Sequence, residues 1–222
     1  MKYKAVLFDL DGTLADTAPD LAHALNELLT SQGKSPLPFE TIRPYVSKGA
    51  LGLIKLGFNI DENHQDYPRL RERYLAIYER AIYRDTKLFA GLEQLLNWCE
   101  NNQIPWGIIT NKPENLTRLL LSKMQLSERS SVTFCGDTFE FKKPHPYPLT
   151  EAAKSLKVVP EECIYVGDDE RDMLAAKAAG ITAVAANWGY IPPGDDSANW
   201  PADIWLDKSE DLALLIVDQH NV

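Results

Sequence analysis

The stretch of residues 6–13, Val-Leu-Phe-Asp-Leu-Asp-Gly-Thr, constrains the fold of this chain more than any other. Apolar residues 5–8 predict a buried strand that ends at Asp9 and Asp11, and Gly12 then lets the backbone turn sharply. Residues i and i+2 of a strand point to the same side, so the two carboxylates should share one small space. Two ionised carboxylates repel unless a cation or a shared proton offsets them. The pattern predicts either a site for a hard cation such as Mg²⁺, which prefers oxygen ligands, or a solvated turn.

Composition indicates a globular protein that binds neither nucleic acid nor a membrane. The chain has 222 residues, is 45% hydrophobic and 25% charged, and its formal net charge of −9 disfavours both of those partners. Cys99, Cys135 and Cys163 are widely spaced and match no zinc pattern, which indicates thiols in a reducing compartment. The sequence shows no signal peptide and no long apolar span, so we expect a cytoplasmic protein.

The hydrophobic pattern changes character along the chain. Residues 17–84 carry apolar side chains at helical spacing and no convincing strand. Later, helical stretches alternate with short apolar runs at residues 106–109, 132–135, 163–166, 181–185 and 204–206. This alternation is typical of a parallel sheet with helices on both faces. We predict an α/β protein with a doubly wound, Rossmann-like parallel sheet core, residues 1–16 and 85–222, and a helical cap domain, residues 17–84, inserted after the first strand.

Polar side chains follow the predicted strands at the edge where an open parallel sheet binds its ligands. Thr110 and Asn111 follow the second core strand, Lys143 follows the third, and Asp168 follows the fourth, with Asp172 four residues later. Each has a plain structural explanation when taken singly. Thr110 and Asn111 could cap a helix, Lys143 could be solvated, and Asp168 could belong to a turn. Their common position at one edge favours a shared site instead.

Residues 9–13, Asp-Leu-Asp-Gly-Thr, resemble the signature motif of the haloacid dehalogenase-like hydrolase superfamily. The polar residues after the second, third and fourth core strands resemble, in the same order, the other three motifs of that superfamily. The resemblance implies a phosphoric monoester hydrolase in which Asp9 attacks phosphorus and forms an aspartyl-phosphate. Asp11 would act as general acid and then as general base. Because dehalogenases of this fold lack the second aspartate, the presence of Asp11 favours phosphoryl chemistry.

The other motif residues have supporting roles in the family pattern. Thr110 and Asn111 would hydrogen-bond phosphoryl oxygens, and Lys143 would neutralise charge between the phosphate and Asp9. Asp169 would lie beyond the direct metal ligands. The implied cofactor is Mg²⁺, and its implied ligands are Asp9, the backbone carbonyl of Asp11, Asp168 and Asp172.

The helical insert and several finer stretches resemble the phosphoglycolate phosphatase-like branch. Residues 45–50, 88–91, 106–113 and 189–191 are most similar to its bacterial N-acetylmuramic acid 6-phosphate phosphatase group. The implied substrate is a small-molecule phosphate ester, either N-acetylmuramic acid 6-phosphate or 2-phosphoglycolate, and the protein would be a monomer or a homodimer. A phosphomutase of the same superfamily and a non-catalytic phosphometabolite-binding protein remain alternatives.

Selection between substrates is assigned to the cap, because the core motifs contact only the phosphoryl group. Ser47 and Lys48 offer hydrogen-bond donors and a positive charge, and Gly49 permits close backbone approach. Both implied substrates carry a carboxylate, which Lys48 could face. Arg43 could take the same role, and Lys48 could instead be merely solvated.

Overall fold

The structure, a computed structural model, describes residues 3–217. The strands are β1 (Ala5–Phe8), β2 (Ala15–Asp16), β3 (Lys87–Leu88), β4 (Trp106–Ile109), β5 (Val132–Phe134), β6 (Cys163–Gly167), β7 (Thr182–Ala186) and β8 (Ile204–Leu206). The α helices are α1 (Ala18–Ser31), α2 (Phe39–Ile42), α3 (Gly49–Phe58), α4 (Tyr67–Ala81), α5 (Leu92–Asn101), α6 (Glu114–Lys123), α7 (Tyr147–Leu156), α8 (Glu170–Ala178) and α9 (Asp211–Val217). Short 3₁₀ helices cover Arg43–Lys48, Pro160–Glu162 and Ser197–Asn199. Within residues 3–217, no helix combines the length and the apolar character that a membrane crossing requires.

Strand β1 lies inside a six-stranded sheet of order β5-β4-β1-β6-β7-β8, and every neighbouring pair is parallel. Leu7 pairs with Gly107 of β4 on one side and with Tyr165 of β6 on the other. Because parallel neighbours end at the same edge, the residues that follow β1, β4 and β6 are brought together. The predicted α/β core is confirmed, and each predicted core strand agrees with the structure to within one residue at either end.

Alternate residues of the central strand face opposite helical layers. Val6 and Phe8 pack in a core cluster with α5, α6 and the inserted helices, whereas Ala5 and Leu7 pack with α7 and α8. All four side chains are buried, which explains why this strand is a continuous apolar run and not an alternating one.

The segment between β2 and β3 consists of helices α1 to α4 and one 3₁₀ helix, and α1 packs against both α3 and α4. We call residues 17–84 the helical insert. At its entry and exit, Ala15 pairs with Leu88 and Asp16 pairs with Lys87 in a small antiparallel sheet. The sequence does not predict this sheet, because strands of two residues carry no periodicity. The domain boundaries at residues 16/17 and 84/85 lie just inside it and stay a prediction.

A buried carboxylate fastens the two ends of the insert together. Asp20, in the first turn of α1, is fully buried. Its Oδ1 accepts a hydrogen bond from the Asp85 amide (2.8 Å), and its Oδ2 accepts from the Arg84 amide (3.0 Å). The Thr86 amide (3.2 Å) and hydroxyl (2.6 Å) also donate to Oδ2. One side chain therefore satisfies the polar groups of the segment that returns to the core.

Replacing Asp20 should destabilise the fold more than an ordinary surface change. Asp20→Ala leaves buried donors of residues 84–86 without an acceptor, so we expect the free energy of unfolding to fall by about 3 kcal/mol. Urea unfolding followed by circular dichroism measures the change. Asp85→Ala, at an exposed carboxylate of the same segment, is the matched control and should change the stability little. Equal effects of the two substitutions would contradict the assigned role of Asp20.

Candidate active site

The residues that the sequence predicts for the site lie together at the carboxyl edge of the sheet. Asp9 directly follows β1, Thr110 follows β4, and Asp168 follows β6, and these three strands are neighbours in the sheet. The loop before α7 adds Lys143, and the first turn of α8 adds Asp172. The strand order thus accounts for the meeting of residues that are far apart in the chain.

Lys143 is buried between two carboxylates. Its Nζ lies 2.9 Å from Oδ1 of Asp9 and 2.6 Å from Oδ1 of Asp172. It also donates to the hydroxyl of Tyr165 on β6 (2.7 Å), which in turn donates to the carbonyl of Ile109 (2.8 Å). Burial opposes the charge on Lys143, but the carboxylates of Asp172 and Asp9 outweigh it and raise the pKa of this lysine. The ammonium is therefore fixed and charged beside Asp9.

Asp9, Asp168 and Asp172 form a compact cluster of oxygen donors. One carboxylate oxygen from each lies within 4.8 Å of the others. Oδ1 of Asp9 is buried and, despite its closeness to Lys143, has no partner in hydrogen-bonding geometry within residues 3–217. A buried anionic oxygen with free lone pairs, beside two more carboxylates, fits a hard divalent cation.

The protonation behaviour of the cluster supports that fit. Burial, followed by the charges of Asp9 and Asp172, raises the pKa of Asp168 well above its ordinary value. Burial also raises the pKa of Asp172, to about 6, with Lys143 opposing the shift and Asp9 adding to it. Without a cation, burial and then the neighbouring negative charges both favour the protonated form of these two carboxyl groups. An ion of double positive charge would relieve this repulsion.

Two glycines make room for Asp168. Gly12 has a φ of +86°, and a Cβ there would lie 2.1 Å from Oδ2 of Asp168. A Cβ at Gly189 would lie 2.2 Å from the Cβ of Asp168. Both positions therefore require glycine, which explains the place of Gly12 directly after the two aspartates of the signature.

Hydrogen bonds fix the orientation of the Asp168 carboxylate. The Thr13 hydroxyl donates to Oδ1 (3.1 Å), and the Tyr190 amide donates to Oδ2 (2.8 Å). Ser47, from the helical insert, also donates to Oδ2 (2.7 Å). The sequence predicts Ser47 as a substrate contact. In this structure its hydroxyl bonds to the carboxylate cluster.

The Asp11 carboxylate lies apart from the three-carboxylate cluster. Lys112 Nζ lies 2.9 Å from its Oδ1 and 3.1 Å from its Oδ2, and the Thr17 hydroxyl donates to Oδ1 (2.6 Å). The predicted metal contact of Asp11 is through its backbone carbonyl and stays a prediction. Lys112 and Thr17 hold the side chain in one orientation.

Helix α4 of the insert reaches this group through a tyrosine. Lys112 Nζ donates to the hydroxyl of Tyr78 (3.0 Å), and both side chains are buried. A single lysine therefore links Asp11 of the core to the insert.

Thr110 and Asn111, the two polar residues after β4, make different contacts. The Thr110 hydroxyl accepts from the Lys112 amide (3.2 Å), which leaves its own proton available to a ligand. The side-chain Nδ2 of Asn111 donates to the backbone carbonyl of Lys143 (2.9 Å). Its Oδ1 accepts from the backbone amide of Lys143 (3.1 Å). Asn111 thus fixes the backbone of the buried lysine, and a contact of its side chain with a phosphoryl oxygen stays a prediction.

Lys48 is paired with acidic groups of the core. Its Nζ lies 3.0 Å from Oδ2 of Asp169 and 3.5 Å from Oδ2 of Asp195. Arg171 binds the other face of Asp169, with its Nε 2.7 Å from Oδ1, and donates to the carbonyl of Ser47 (2.7 Å). Burial would raise the pKa of Asp169, but Arg171 and then Lys48 outweigh it and hold that pKa well below its ordinary value. Asp169 therefore joins the insert to the core and is not a member of the three-carboxylate cluster.

Arg43 does not line the same space. Its guanidinium donates to the carbonyls of Gly189 (3.0 Å) and Trp188 (3.1 Å) and lies 4.9 Å from the ring centroid of Tyr190. These contacts satisfy the side chain at the edge of the insert, which weakens the alternative that it faces a substrate carboxylate.

The insert closes a cavity of about 380 Å³ over these groups. Its floor includes Asp9, Asp11, Thr110 and Lys143. Its roof is formed by side chains of the insert, among them Val46, Ser47, Lys48, Tyr67, Arg71, Tyr74, Leu75 and Tyr78. The cavity has room for a small ester whose phosphoryl group rests on the floor.

Sequence reasoning missed four residues of the site. Lys112 and Arg171 directly adjoin the predicted residues Asn111 and Asp172, so a search extended by one position on either side of each predicted residue finds them. Tyr165 is hidden inside an apolar strand, and Tyr78 lies on a helix far away in the chain. No sequence signal distinguishes these two tyrosines from ordinary core residues.

Residues 6–186 match the family model of the haloacid dehalogenase-like hydrolases, and the chain belongs to that family. A phosphoglycolate phosphatase of Xanthomonas campestris pv. campestris is 41% identical over 210 residues, 94% of each chain. An N-acetylmuramic acid 6-phosphate phosphatase of Pseudomonas putida is 36% identical over 216 residues, 97% of each chain. These relatives confirm the enzyme class, a phosphoric monoester hydrolase, and the resemblance to the phosphoglycolate phosphatase-like branch.

Solved structures confirm the fold. A predicted phosphoglycolate phosphatase from Haemophilus somnus superposes with a TM-score of 0.83 at 22% identity, over 97% of this chain and 98% of that one. CbbY from Rhodobacter sphaeroides, in complex with phosphate, gives a TM-score of 0.75 at 23% identity, over 95% and 96% of the two chains. At this identity the comparison concerns architecture alone.

The raised pKa of Asp172, about 6, predicts a pH-dependent stability of the metal-free protein. Between its ordinary value and 6, the folded state binds more protons than the unfolded chain, so the free energy of unfolding should fall as pH rises through that window. Thermal unfolding in EDTA at a series of pH values measures the effect. Asp172→Asn removes the group and should show a shallower fall; identical pH profiles for the two proteins would refute the shift.

Proposed function

We propose that this protein hydrolyses a small, acidic phosphate monoester with Mg²⁺, through a phosphoryl group carried on Asp9. The observation that carries the proposal is the buried contact of Lys143 with Asp9 and Asp172, beside Asp168, on the floor of the cavity beneath the insert. Buried charges are costly unless they are paired, so an arrangement with an excess of negative charge calls for a cation.

Three side chains are the proposed metal ligands. Asp9, Asp168 and Asp172 offer only oxygen atoms, which suits Mg²⁺ better than zinc, and the Asp11 carbonyl is the proposed fourth protein ligand. When bound, Mg²⁺ supplies positive charge that draws in the phosphate dianion and polarises a phosphoryl oxygen.

Asp9 is the proposed nucleophile. One of its carboxylate oxygens attacks phosphorus, the bond from phosphorus to the ester oxygen breaks, and an aspartyl-phosphate forms. Lys143, held charged by its surroundings, stabilises the negative charge that the phosphoryl oxygens share with Asp9. Thr110 offers its hydroxyl proton to another phosphoryl oxygen.

Asp11 is the proposed acid and base. Its carboxyl group gives a proton to the leaving alkoxide, which departs as an alcohol, and then takes a proton from the water that attacks phosphorus. That attack breaks the bond between phosphorus and Asp9 and releases inorganic phosphate. Lys112 and Thr17 keep the Asp11 carboxylate turned toward the cavity floor.

The names of the two relatives support the substrate class. One acts on phosphoglycolate and the other on N-acetylmuramic acid 6-phosphate, and both compounds are acids in addition to being phosphate esters. We propose that the substrate of this chain likewise carries a carboxylate on the leaving group. Two basic side chains of the cavity, Arg71 and Lys142, form no ion pair within residues 3–217, which agrees with a substrate that carries a second negative charge.

Phosphate release from a panel of esters tests this proposal. With Mg²⁺ we expect turnover of N-acetylmuramic acid 6-phosphate, 2-phosphoglycolate or both, and loss of turnover in excess EDTA that added Mg²⁺ restores. Full activity in a metal-stripped sample contradicts the metal proposal. Isomerised ester without free phosphate would identify a phosphomutase, and binding without turnover a non-catalytic phosphometabolite-binding protein.

Replacing Asp9 with asparagine tests the nucleophile. Asp9→Asn keeps the shape of the side chain and removes its negative charge, so we expect phosphate release to fall to near background while thermal unfolding remains cooperative. Asp85→Asn, at an exposed aspartate, should retain wild-type activity. Substantial turnover by a verified Asp9→Asn preparation would rule out the covalent route.

A further inference from the structure

The cavity contains basic side chains whose charge is not matched by an aspartate. Six basic residues line it, namely Lys48, Arg71, Lys112, Lys142, Lys143 and Arg171. Four of them form ion pairs with aspartates. Within residues 3–217, Arg71 and Lys142 form no ion pair, so these two can offer their charge to a ligand.

The two cations without an ion pair belong to different parts of the molecule, one to the insert and one to the core. Lys142 directly precedes Lys143 in the core loop before α7 and is exposed. Arg71 belongs to α4 and lines the roof together with Tyr67. A second anionic group on the substrate that reaches the insert can therefore meet Arg71.

One stripe of α4 connects Arg71 to the reacting end. The side chains that face the cavity from this helix are Tyr67, Arg71, Tyr74, Leu75 and Tyr78. Tyr67, Arg71, Tyr74 and Tyr78 are three or four residues apart. Leu75 lies four residues after Arg71 and three before Tyr78, so all five share one face. Tyr78 marks the reacting end, because its hydroxyl bonds to the lysine that holds Asp11.

The spacing along this stripe favours a long ligand. Arg71 precedes Tyr78 by seven residues, which corresponds to about 10 Å along the helix axis. In 2-phosphoglycolate the carboxylate carbon lies only about 4 Å from phosphorus, by ordinary bond lengths. A carboxylate borne by a hexose-sized leaving group has the required reach.

We propose that Arg71, assisted by Tyr67, is an anion subsite that binds a carboxylate at the far end of a sugar-sized leaving group. The planar guanidinium can bind a carboxylate through two parallel hydrogen bonds, which an ammonium cannot reproduce. Tyr74 and Leu75 lie between the subsite and the reacting end and offer apolar contact to the body of the sugar. This inference rests on the proposed function and adds to it the residue that binds the substrate carboxylate.

A matched pair of substrates tests the subsite. N-acetylmuramic acid 6-phosphate and N-acetylglucosamine 6-phosphate share the phosphorylated sugar, and only the first carries a carboxylate. Arg71→Ala should lower kcat/KM for the first about 10- to 100-fold, mainly through KM, the range expected for a lost charge-assisted hydrogen bond. Turnover of the second, of 2-phosphoglycolate and of p-nitrophenyl phosphate should change less than about twofold, and Arg71→Lys should recover only part of the loss.

Two further variants serve as controls. Arg73 lies on the same helix but outside the cavity and donates to Ser31, so Arg73→Ala should leave all four substrates unaffected. Lys142→Ala should not discriminate between the paired sugars.

The remaining outcomes distinguish failure of the Arg71 subsite from failure of the proposed phosphatase function. Equal losses on every substrate with Arg71→Ala, no loss on N-acetylmuramic acid 6-phosphate, or a carboxylate-dependent loss only with Lys142→Ala would overturn the subsite. So would a wild-type protein that hydrolyses 2-phosphoglycolate and neither sugar phosphate, although the phosphatase function would then stand. If the wild-type protein releases phosphate from none of the four esters, the proposed function itself fails.

Discussion

The contact of Lys143 with Asp9 and Asp172 is the interaction on which the rest of the site depends. Three carboxylates, those of Asp9, Asp168 and Asp172, meet at the carboxyl edge of the sheet, and one buried ammonium lies among them. The nearby cations Lys112 and Arg171 are paired with other aspartates. With all three carboxylates ionised, the cluster has two negative charges more than positive ones, which is the charge that a divalent ion balances. Burial makes this imbalance costly, and the raised pKa values of Asp168 and Asp172 are its consequence.

The helical insert is joined to this charged edge through polar contacts as well as apolar packing. Ser47 bonds to Asp168, Lys48 pairs with Asp169, and Tyr78 bonds to Lys112. Each of these core partners adjoins or belongs to the proposed catalytic machinery. The position of the insert and the arrangement of the reacting groups are consequently coupled, because moving the insert away would leave buried polar groups without partners. The same closure forms the cavity in which a leaving group can be recognised.

The sequence predicts the core of this protein well and its insert less completely, for physical reasons. Strand β1 is a buried apolar run that stops at Asp9, and the parallel sheet then dictates where Thr110, Lys143 and Asp168 must meet. Contacts between distant segments follow no such rule. Nothing in the spacing of α4 separates Tyr78 from a core residue, and the two-residue strands β2 and β3 are too short to show a pattern. Lys48 illustrates the same limit: its charge and its neighbouring glycine suggest a substrate contact, but only the folded chain shows that Asp169 competes for it.

The most direct test of the central claim is whether a phosphoryl group rests on Asp9 during turnover. In Asp11→Asn with p-nitrophenyl phosphate, the good leaving group needs little help from an acid, whereas the attacking water still lacks its base. The account predicts a rapid burst of about one equivalent of p-nitrophenol per enzyme, followed by slow turnover. Acid-quenched protein should carry the mass of one phosphoryl group on the peptide that contains Asp9. Turnover without a burst, or a phosphoryl group on any other residue, would contradict the account.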